Sequence, residues 1–354
     1  MANVRVGFIG CGGIANGKHF PGMAQQEGVD MCAFCDLILE RAEKAAKEYG
    51  TPDAKVYTDY HELLADPTID AVHVLTPNVA HCEITVAALE AGKHVLCEKP
   101  MAATPADAKK MLEARDRTGK MLTIGYQYRH FPENQVAKKV VDSGALGDVY
   151  YAEATYLRRR GVPTWGVFTD KAKQGGGPLI DIGTHALDLT LWMMDNYEVE
   201  SVTGQTFRKL ADQTNQGNDF GDWDPKEFSV EDSAFGFIRM KNGAVIELEA
   251  AWALNTLEVD EAKTSLCGTK AGADMKDGLR INYIHHNKQV VEKPALFGEG
   301  VAFFSGEEKE APDYEQELFY HIVADGAEQI VKPAQAAVVT RVLEAIYESA
   351  KSGK

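Results

Sequence analysis

An α/β half followed by an α+β half is the fold class this sequence predicts. Three observations carry it. Short apolar runs alternate with helical patterns up to residue 124, longer strand-like runs follow one another from about residue 125, and a glycine-rich turn stands directly after the first strand. Alternating β and α patterns predict a parallel sheet covered by helices on both faces. Successive strands predict an open, mostly antiparallel sheet with helices against one face. The domains so predicted are 1–124 and 125–354, and a chain of 354 residues, 45% hydrophobic and 25% charged, is long enough to build both cores.

VRVGFIG (4–10) is the first strand, and the helical pattern IANGKHFPGMAQQ follows, with Pro21 set to distort it. VDMCAFCD (29–36) is the second strand and ILERAEKAAKEYG a helix that Gly50 closes. AKVY and the short helix DYHELLAD lead to the strand IDAVHVLT (69–76). The helix HCEITVAALEAG, the strand KHVLCEK, the helix TPADAKKMLEARDRTG and the strand KMLTIGY complete this half. In the second half VYYAEATYLR, EVESVTGQTF, SAFGFIRM, AVIELEAAW and EAKTSLCG read as strands, and Lys241-Asn242-Gly243 as a hairpin turn. Residues 208–229 are polar and rich in Asp, Asn and Gly, a loop of a length that often carries function. GGGPLIDIGTHALDLTLWMM (175–194) reads as a flexible glycine hinge leading into a helix over 184–194. Two helices, about 313–331 and 334–351, close the chain.

With 37 basic and 53 acidic residues the net charge is −16, which repels nucleic acid and anionic membranes and excludes both as partners. No run approaches the roughly 18 apolar residues of a membrane span. The start, MANVRVGFIG, lacks the basic and long apolar stretches of a signal peptide, so a cytoplasmic protein is the expectation. Cys32 and Cys35 have C-x-x-C spacing inside a strand. Redox pairs open a helix, and a zinc site needs a second pair or nearby histidines. Buried structural thiols are therefore expected, and no metal.

The first strand runs into Gly10-Cys11-Gly12-Gly13-Ile14-Ala15, a G-x-G-x-x-A turn between strand and helix. Such glycines permit the tight turn and let the backbone approach a pyrophosphate, which the helix N-terminus then stabilises. Asp36 ends the second strand, where an acid takes the adenosine ribose hydroxyls. Alone it would serve as a helix cap; in register with the turn it completes a Rossmann-type dinucleotide site. Its charge would repel a 2′-phosphate, and Leu37 and Ile38 offer no cationic clamp, so NAD is expected rather than NADP. LTPNVAH (75–81) and CEKPMA (97–102) lie at carboxyl ends of strands, where open α/β sheets bind ligands. Candidate cofactor contacts are therefore Gly10, Gly12, Gly13, Ile14, Ala15, Asp36, Thr76, Pro77, Asn78, His81, Glu98, Lys99 and Gln127.

These segments, with GYQYRHFP, GALGDVYYAEA, the D-x-G-x-H-x-x-D stretch, EDSAFGFIRMKNGAVIELEAAW and ESAKSGK, resemble the Gfo/Idh/MocA family of nicotinamide-dependent oxidoreductases over nearly the whole chain. The resemblance implies a Rossmann domain followed by an open sheet whose face forms oligomer contacts, in a homodimer or homotetramer. It implies a catalytic Lys99, a cis bond before Pro100, and a catalytic Asp181 and His185. RRRGVPTWGVF (158–168) resembles a subgroup of sugar- and glycoside-oxidising members, and Trp165-Gly166 stands where more general members carry Trp-Arg. In the strand expected there, Arg158 and Arg160 would face one side and Arg159 the other.

The reaction so implied takes hydride from a secondary alcohol carbon of a sugar, glycoside or cyclic polyol, and a proton from its oxygen. Either His185, by its ordinary pKa, or Lys99, if burial lowers its pKa, would take the proton. Asp181 would orient the hydroxyl or hold His185, and Tyr128, Arg129 and Trp165 are further candidate substrate contacts. Two alternatives share this apparatus: a redox-neutral hydrolase or lyase that oxidises its sugar transiently, and a non-catalytic sugar or NAD sensor.

Overall fold

The computed structural model describes residues 3–294 and 311–353. One compact unit runs to His130 and takes up a later segment ending at Ala337; the other runs from Phe131 and is completed by residues from Val338 onward.

The first unit holds six strands, β1 (Val4–Ile9), β2 (Val29–Cys35), β3 (Lys55–Tyr57), β4 (Ala71–Val74), β5 (His94–Cys97) and β6 (Leu122–Ile124). They form one parallel sheet in the order β3-β2-β1-β4-β5-β6. The order reverses between β1 and β4, the switch point at which such sheets bind ligands. The near-continuous apolar runs of β1, β2, β4 and β5 suit strands covered on both faces. The helices are α1 (Phe20–Ala24), α2 (Leu39–Tyr49), α3 (Tyr60–Leu64), α4 (His81–Glu90) and α5 (Pro105–Thr118). In α5 the Thr104 Oγ1 accepts the Asp107 N–H at 3.2 Å, Pro105 fills the first turn, and Gly119 ends the helix at φ +65°. The helix expected over 14–26 is instead a π-helical turn, Ala15–His19, followed by the short α1 with Pro21 in its first turn. Phe8 stacks on Phe34 at 5.5 Å and meets Phe20 edge-on at 5.1 Å, anchoring a core beneath the glycine turn.

In the second unit lie α6 (Pro132–Asp142), β7 (Val149–Leu157), α7 (Lys171–Gln174), α8 (Thr184–Met194), β8 (Val199–Phe207), β9 (Ser233–Met240), β10 (Val245–Ala251), β11 (Asp260–Gly268), β12 (Ala271–Asp274), β13 (Arg280–His285) and β14 (Lys288–Glu292). The strands form one sheet in the order β14-β13-β12-β11-β7-β10-β9-β8. Every neighbouring pair is antiparallel except β7 with β10. Gly243, at φ +88°, makes the expected hairpin between β9 and β10. The three strands after β11 escape a reading by hydrophobic runs because β12 is four residues of small side chains and Asp, and β13 and β14 mix apolar with polar residues. Their one strong signal is His286-Asn287, both at positive φ, in the two-residue turn between β13 and β14. α8 packs on β7 and β11, with α6 against it.

Two helices close the chain, α9 (Ala311–Asp325) and α10 (Pro333–Ser352). α9 stops six residues before its expected end because Gly326 turns the chain at φ +70°. The single cut expected after residue 124 also needs correcting, since α9 returns to the first unit. It packs on α1 and β1, burying Phe319 and laying Gln316 against Gly22. Among the described residues no helix is long and apolar enough to cross a membrane.

Candidate active site

The glycine turn is built for close approach. A Cβ on Gly10, which sits at φ +101°, would lie 2.5 Å from the Leu75 carbonyl oxygen, so β1 and β4 can adjoin there only with glycine. Gly12 and Gly13 have the opposite surroundings: a Cβ on either would meet no heavy atom within 4 Å. Asn16 Nδ2 donates to the carbonyls of Cys11 and Gly12 at 2.9 and 2.7 Å and holds the turn open. Ile14 is exposed and Ala15 fully buried. Asp36 receives the N–H of Cys11 on Oδ2 at 2.8 Å and of Ile38 on Oδ1 at 2.9 Å. A carboxylate has about four acceptor positions, so Asp36 can fasten the turn and still accept from a ribose. The open cradle and the half-buried acid fit a dinucleotide.

Thr76 and Asn78 are half-buried and Pro77 exposed at the end of β4. His81 is a correction: fully buried, its ring nitrogens lie 2.8 Å from the Pro100 carbonyl and 2.9 Å from that of Thr76. It ties the β4 loop to the proline turn and has no surface left for a cofactor. The Lys99–Pro100 bond is cis, and Lys99 is half-buried.

The Glu98 carboxylate points inward. Oε1 accepts from Lys18 Nζ at 2.7 Å and meets His19 Nε2 at 2.8 Å; Oε2 accepts the Lys99 N–H at 2.9 Å. The other carboxylate on Lys18 is Glu315 of α9, with Oε2 at 2.7 Å. His19 Nδ1 lies 3.0 Å from His73 Nδ1 and accepts from Gln316 Nε2 at 3.3 Å. These contacts assign the His19 proton to Nε2, where it donates to Glu98. Burial acts to raise Glu98, but the Lys18 ammonium and the His19 bond outweigh it and hold the carboxyl well below the usual range. Burial pushes Glu315 up and His19 down to about 4. His19, Glu98 and Glu315 have the spacing of a metal triad, but the ammonium of Lys18 occupies the cation's place. Lys18, Glu315 and His73 were not singled out by sequence, since pairs so distant along the chain leave no local pattern.

Gln127 and Tyr128 are half-buried on a turn after β6. Arg129, a candidate substrate contact, follows on the same turn. It is fully buried, and Nη1 donates to the Ile330 carbonyl at 3.0 Å and to Gln335 Oε1 at 2.7 Å, securing the link between α9 and α10. Cys32 and Cys35 are buried free thiols, raised by burial to about 11 and about 12, as structural cysteines should be.

In the second unit, a π-helical turn over Leu179–Gly183 leads into α8 and carries Asp181; His185 lies on the first turn of α8. Both are buried, at 9% and 7% exposure, and Asp181 Oδ2 accepts the Trp252 Nε1–H at 3.0 Å. The Tyr156 ring lies 6.5 Å from that of His185. The glycines before this turn are not a flexible hinge. Cβ atoms on Gly176 and Gly177 would fall 2.0 Å from the Tyr347 hydroxyl and 2.3 Å from the Glu231 carbonyl. Glu231 Oε1 accepts the N–H groups of Gly177 and Leu179 at 2.9 and 3.2 Å and the Tyr347 O–H at 2.7 Å. This buried carboxyl, pushed upward by its burial, clamps the turn that presents Asp181. β7 stops at Leu157, so the strand alternation expected for Arg158, Arg159 and Arg160 does not apply. Trp165 is 51% exposed in an irregular segment, edge-on to Phe168 and Phe220.

Residues 4–126 match the model of an oxidoreductase family with an NAD-binding Rossmann fold, and residues 134–274 match the GFO/IDH/MocA C-terminal domain. The chain belongs to the GFO/IDH/MocA family. Within that family it is 37% identical over 350 residues to D-glucoside 3-dehydrogenase of Escherichia coli K12, across 99% of this chain and 96% of that protein. Levoglucosan dehydrogenase of Pseudarthrobacter phenanthrenivorans is 32% identical over 71% of this chain and 68% of its own. A solved levoglucosan dehydrogenase in complex with NADH and L-sorbose matches with a TM-score of 0.83 at 25% identity, covering 99% of this chain and 98% of that one. The first unit of this family member is thus an NAD-binding Rossmann domain, and the chain is an oxidoreductase.

Proposed function

We propose that the protein oxidises a secondary ring hydroxyl of a sugar, glycoside or cyclic polyol. The observation that carries this reading is the clamped turn that presents Asp181 and His185 together. The likeness to a D-glucoside 3-dehydrogenase over nearly its full length supports it. The glycine cradle and Asp36 hold NAD, and the Asp36 carboxylate disfavours a 2′-phosphate. Bound NAD supplies the hydride acceptor. His185 takes the hydroxyl proton, since imidazole titrates nearest neutrality. Lys99 stabilises the developing alkoxide charge. Asp181, steadied by Trp252, orients the hydroxyl toward His185.

Self-association as a homodimer or homotetramer through the sheet of the second unit belongs to the same reading. Phe237, Ile284 and Val291 stand exposed on it. The six free cysteines suit a reducing, cytoplasmic setting. A panel of sugars and glycosides tests the proposal by NADH formation. His185→Ala and Lys99→Ala should each lower turnover by about 10²–10⁴-fold while NAD still binds. Near-normal turnover in both variants rules this mechanism out.

A further inference from the structure

The loop expected over 208–229 is cross-tied to the segment that follows β7. Asn218 accepts the Val162 N–H at 2.8 Å and donates to the carbonyls of Val162 at 3.0 Å and Gly221 at 2.7 Å. Arg160 Nε donates to the Gln216 carbonyl at 3.1 Å, and Thr164 Oγ1 to that of Phe220. These bonds fix Phe220 against Trp165, with ring centroids 4.9 Å apart and planes at 87°. Both rings remain exposed, at 44% and 51%. Side-chain bonds to the backbone thus hold in water two aromatic faces that the proposed proton and hydride chemistry does not use.

Within the same unit, ring and cation contacts lead from this pair to Asp181 and to His185. Trp165 meets Phe168 at 6.0 Å, and Phe168 meets Trp252 at 6.4 Å, whose N–H donates to Asp181. On the other side Phe220 lies 5.9 Å from the Arg158 guanidinium, which covers the Tyr156 ring at 5.3 Å, beside His185. Asp181 and His185 are buried, whereas the aromatic pair is exposed, with Phe168 and Trp252 between it and Asp181 and Arg158 and Tyr156 between it and His185. A substrate that engages both must carry a second group beyond the ring being oxidised.

We propose that Trp165 and Phe220 form an aromatic subsite for the group that a glycoside carries beyond its oxidised ring. This rests on the function proposed above and narrows it from sugars, glycosides and cyclic polyols to glycosides. A sugar ring or an aryl aglycone presents a flat C–H-rich or π face, which packs on exposed aromatic rings.

The test compares kcat/KM for methyl β-glucoside, phenyl β-glucoside and a β-linked glucose disaccharide, in the wild type, Phe220→Ala, Trp165→Ala and Phe220→Tyr. An aromatic contact contributes about 2- to 10-fold. The wild type should therefore prefer the phenyl glucoside, the disaccharide or both over the methyl glucoside by that factor. The preferred probe identifies the group as aryl or sugar. Both alanine variants should bring the ratio near one, and Phe220→Tyr should keep it. No preference in the wild type, an unchanged ratio in the variants, or an equal fall on all probes overturns the subsite. If no probe reduces NAD, the proposed function fails, and tryptophan fluorescence still decides the subsite. Saturable phenyl glucoside binding that weakens in Phe220→Ala supports it, and no saturable change or unaltered binding overturns it.

Discussion

Removing the cation at the buried Lys18 cluster should unfold the first unit more than any single surface change. Lys18 is 6% exposed, with its ammonium 2.7 Å from one oxygen each of Glu98 and Glu315. At that distance, and at an effective dielectric near 20, each attraction is about 6 kcal/mol. Desolvating the ammonium costs several kcal/mol and offsets much of this. Methionine fills the same space but leaves two carboxylates facing each other without a counter-charge. A loss of about 3–5 kcal/mol follows, the range for a broken buried pair. The double variant Lys18→Met/Glu315→Gln removes one of the stranded charges and should recover part of it, a coupling that a double-mutant cycle reads directly. All four tryptophans, Trp165, Trp192, Trp223 and Trp252, lie in the second unit. Urea unfolding is therefore followed by far-UV circular dichroism, which also reports the first. A loss below about 1 kcal/mol in the single variant, or no recovery in the double, would refute the reasoning.

Three further outcomes are expected. His19 is fully buried and its folded pKa lies near 4 against an ordinary 6.5. Below 6.5 the unfolded chain binds a proton that the folded chain refuses, so stability falls as pH drops from about 6.5 toward 4, by about 3 kcal/mol in total. Above 6.5 this group contributes no slope, and a His19→Gln variant with an undiminished acid slope contradicts the assignment. Gly176→Ala forces a Cβ against the Tyr347 hydroxyl and should cost about 1–3 kcal/mol; an unchanged urea midpoint argues against the clamp. Asp36→Ser should shift the ratio of kcat/KM for NAD over NADP toward NADP by about tenfold or more, at 1.4 kcal/mol per decade. A wild type that favours NADP, or a variant with the parent's ratio, removes Asp36 from that role.

The sequence made the local parts of this molecule legible. The G-x-G-x-x-A turn, Asp36 at the end of β2 and the Asn-Gly hairpin are set by neighbours a few residues away, and each stands where its pattern puts it. What the sequence hid depends on distant partners. Glu98 and His81 occur in motifs that suggest a cofactor, yet Lys18, Glu315 and the Pro100 carbonyl draw them into the interior. The sequence suggests Arg129 as a substrate contact and says nothing of Ile330 and Gln335, some two hundred residues along the chain, which accept from it. Glycines 175–177 suggest flexibility, but the approach of Tyr347 and Glu231 makes two of them a packing requirement. The return of α9 to the first unit is invisible for the same reason, since its apolar face does not say which core it covers.

The central claim is net oxidation of a ring hydroxyl, and the stoichiometry of NAD to product tests it most directly. The protein is incubated in deuterated water with a glycoside in excess over NAD, and NADH absorbance and product mass are followed together. The predicted result is one oxidised, intact sugar per NADH formed, with the reaction stopping when NAD is consumed. Many turnovers per NAD, giving a cleaved product with deuterium beside the transiently oxidised carbon, would contradict it and establish a redox-neutral cycle instead.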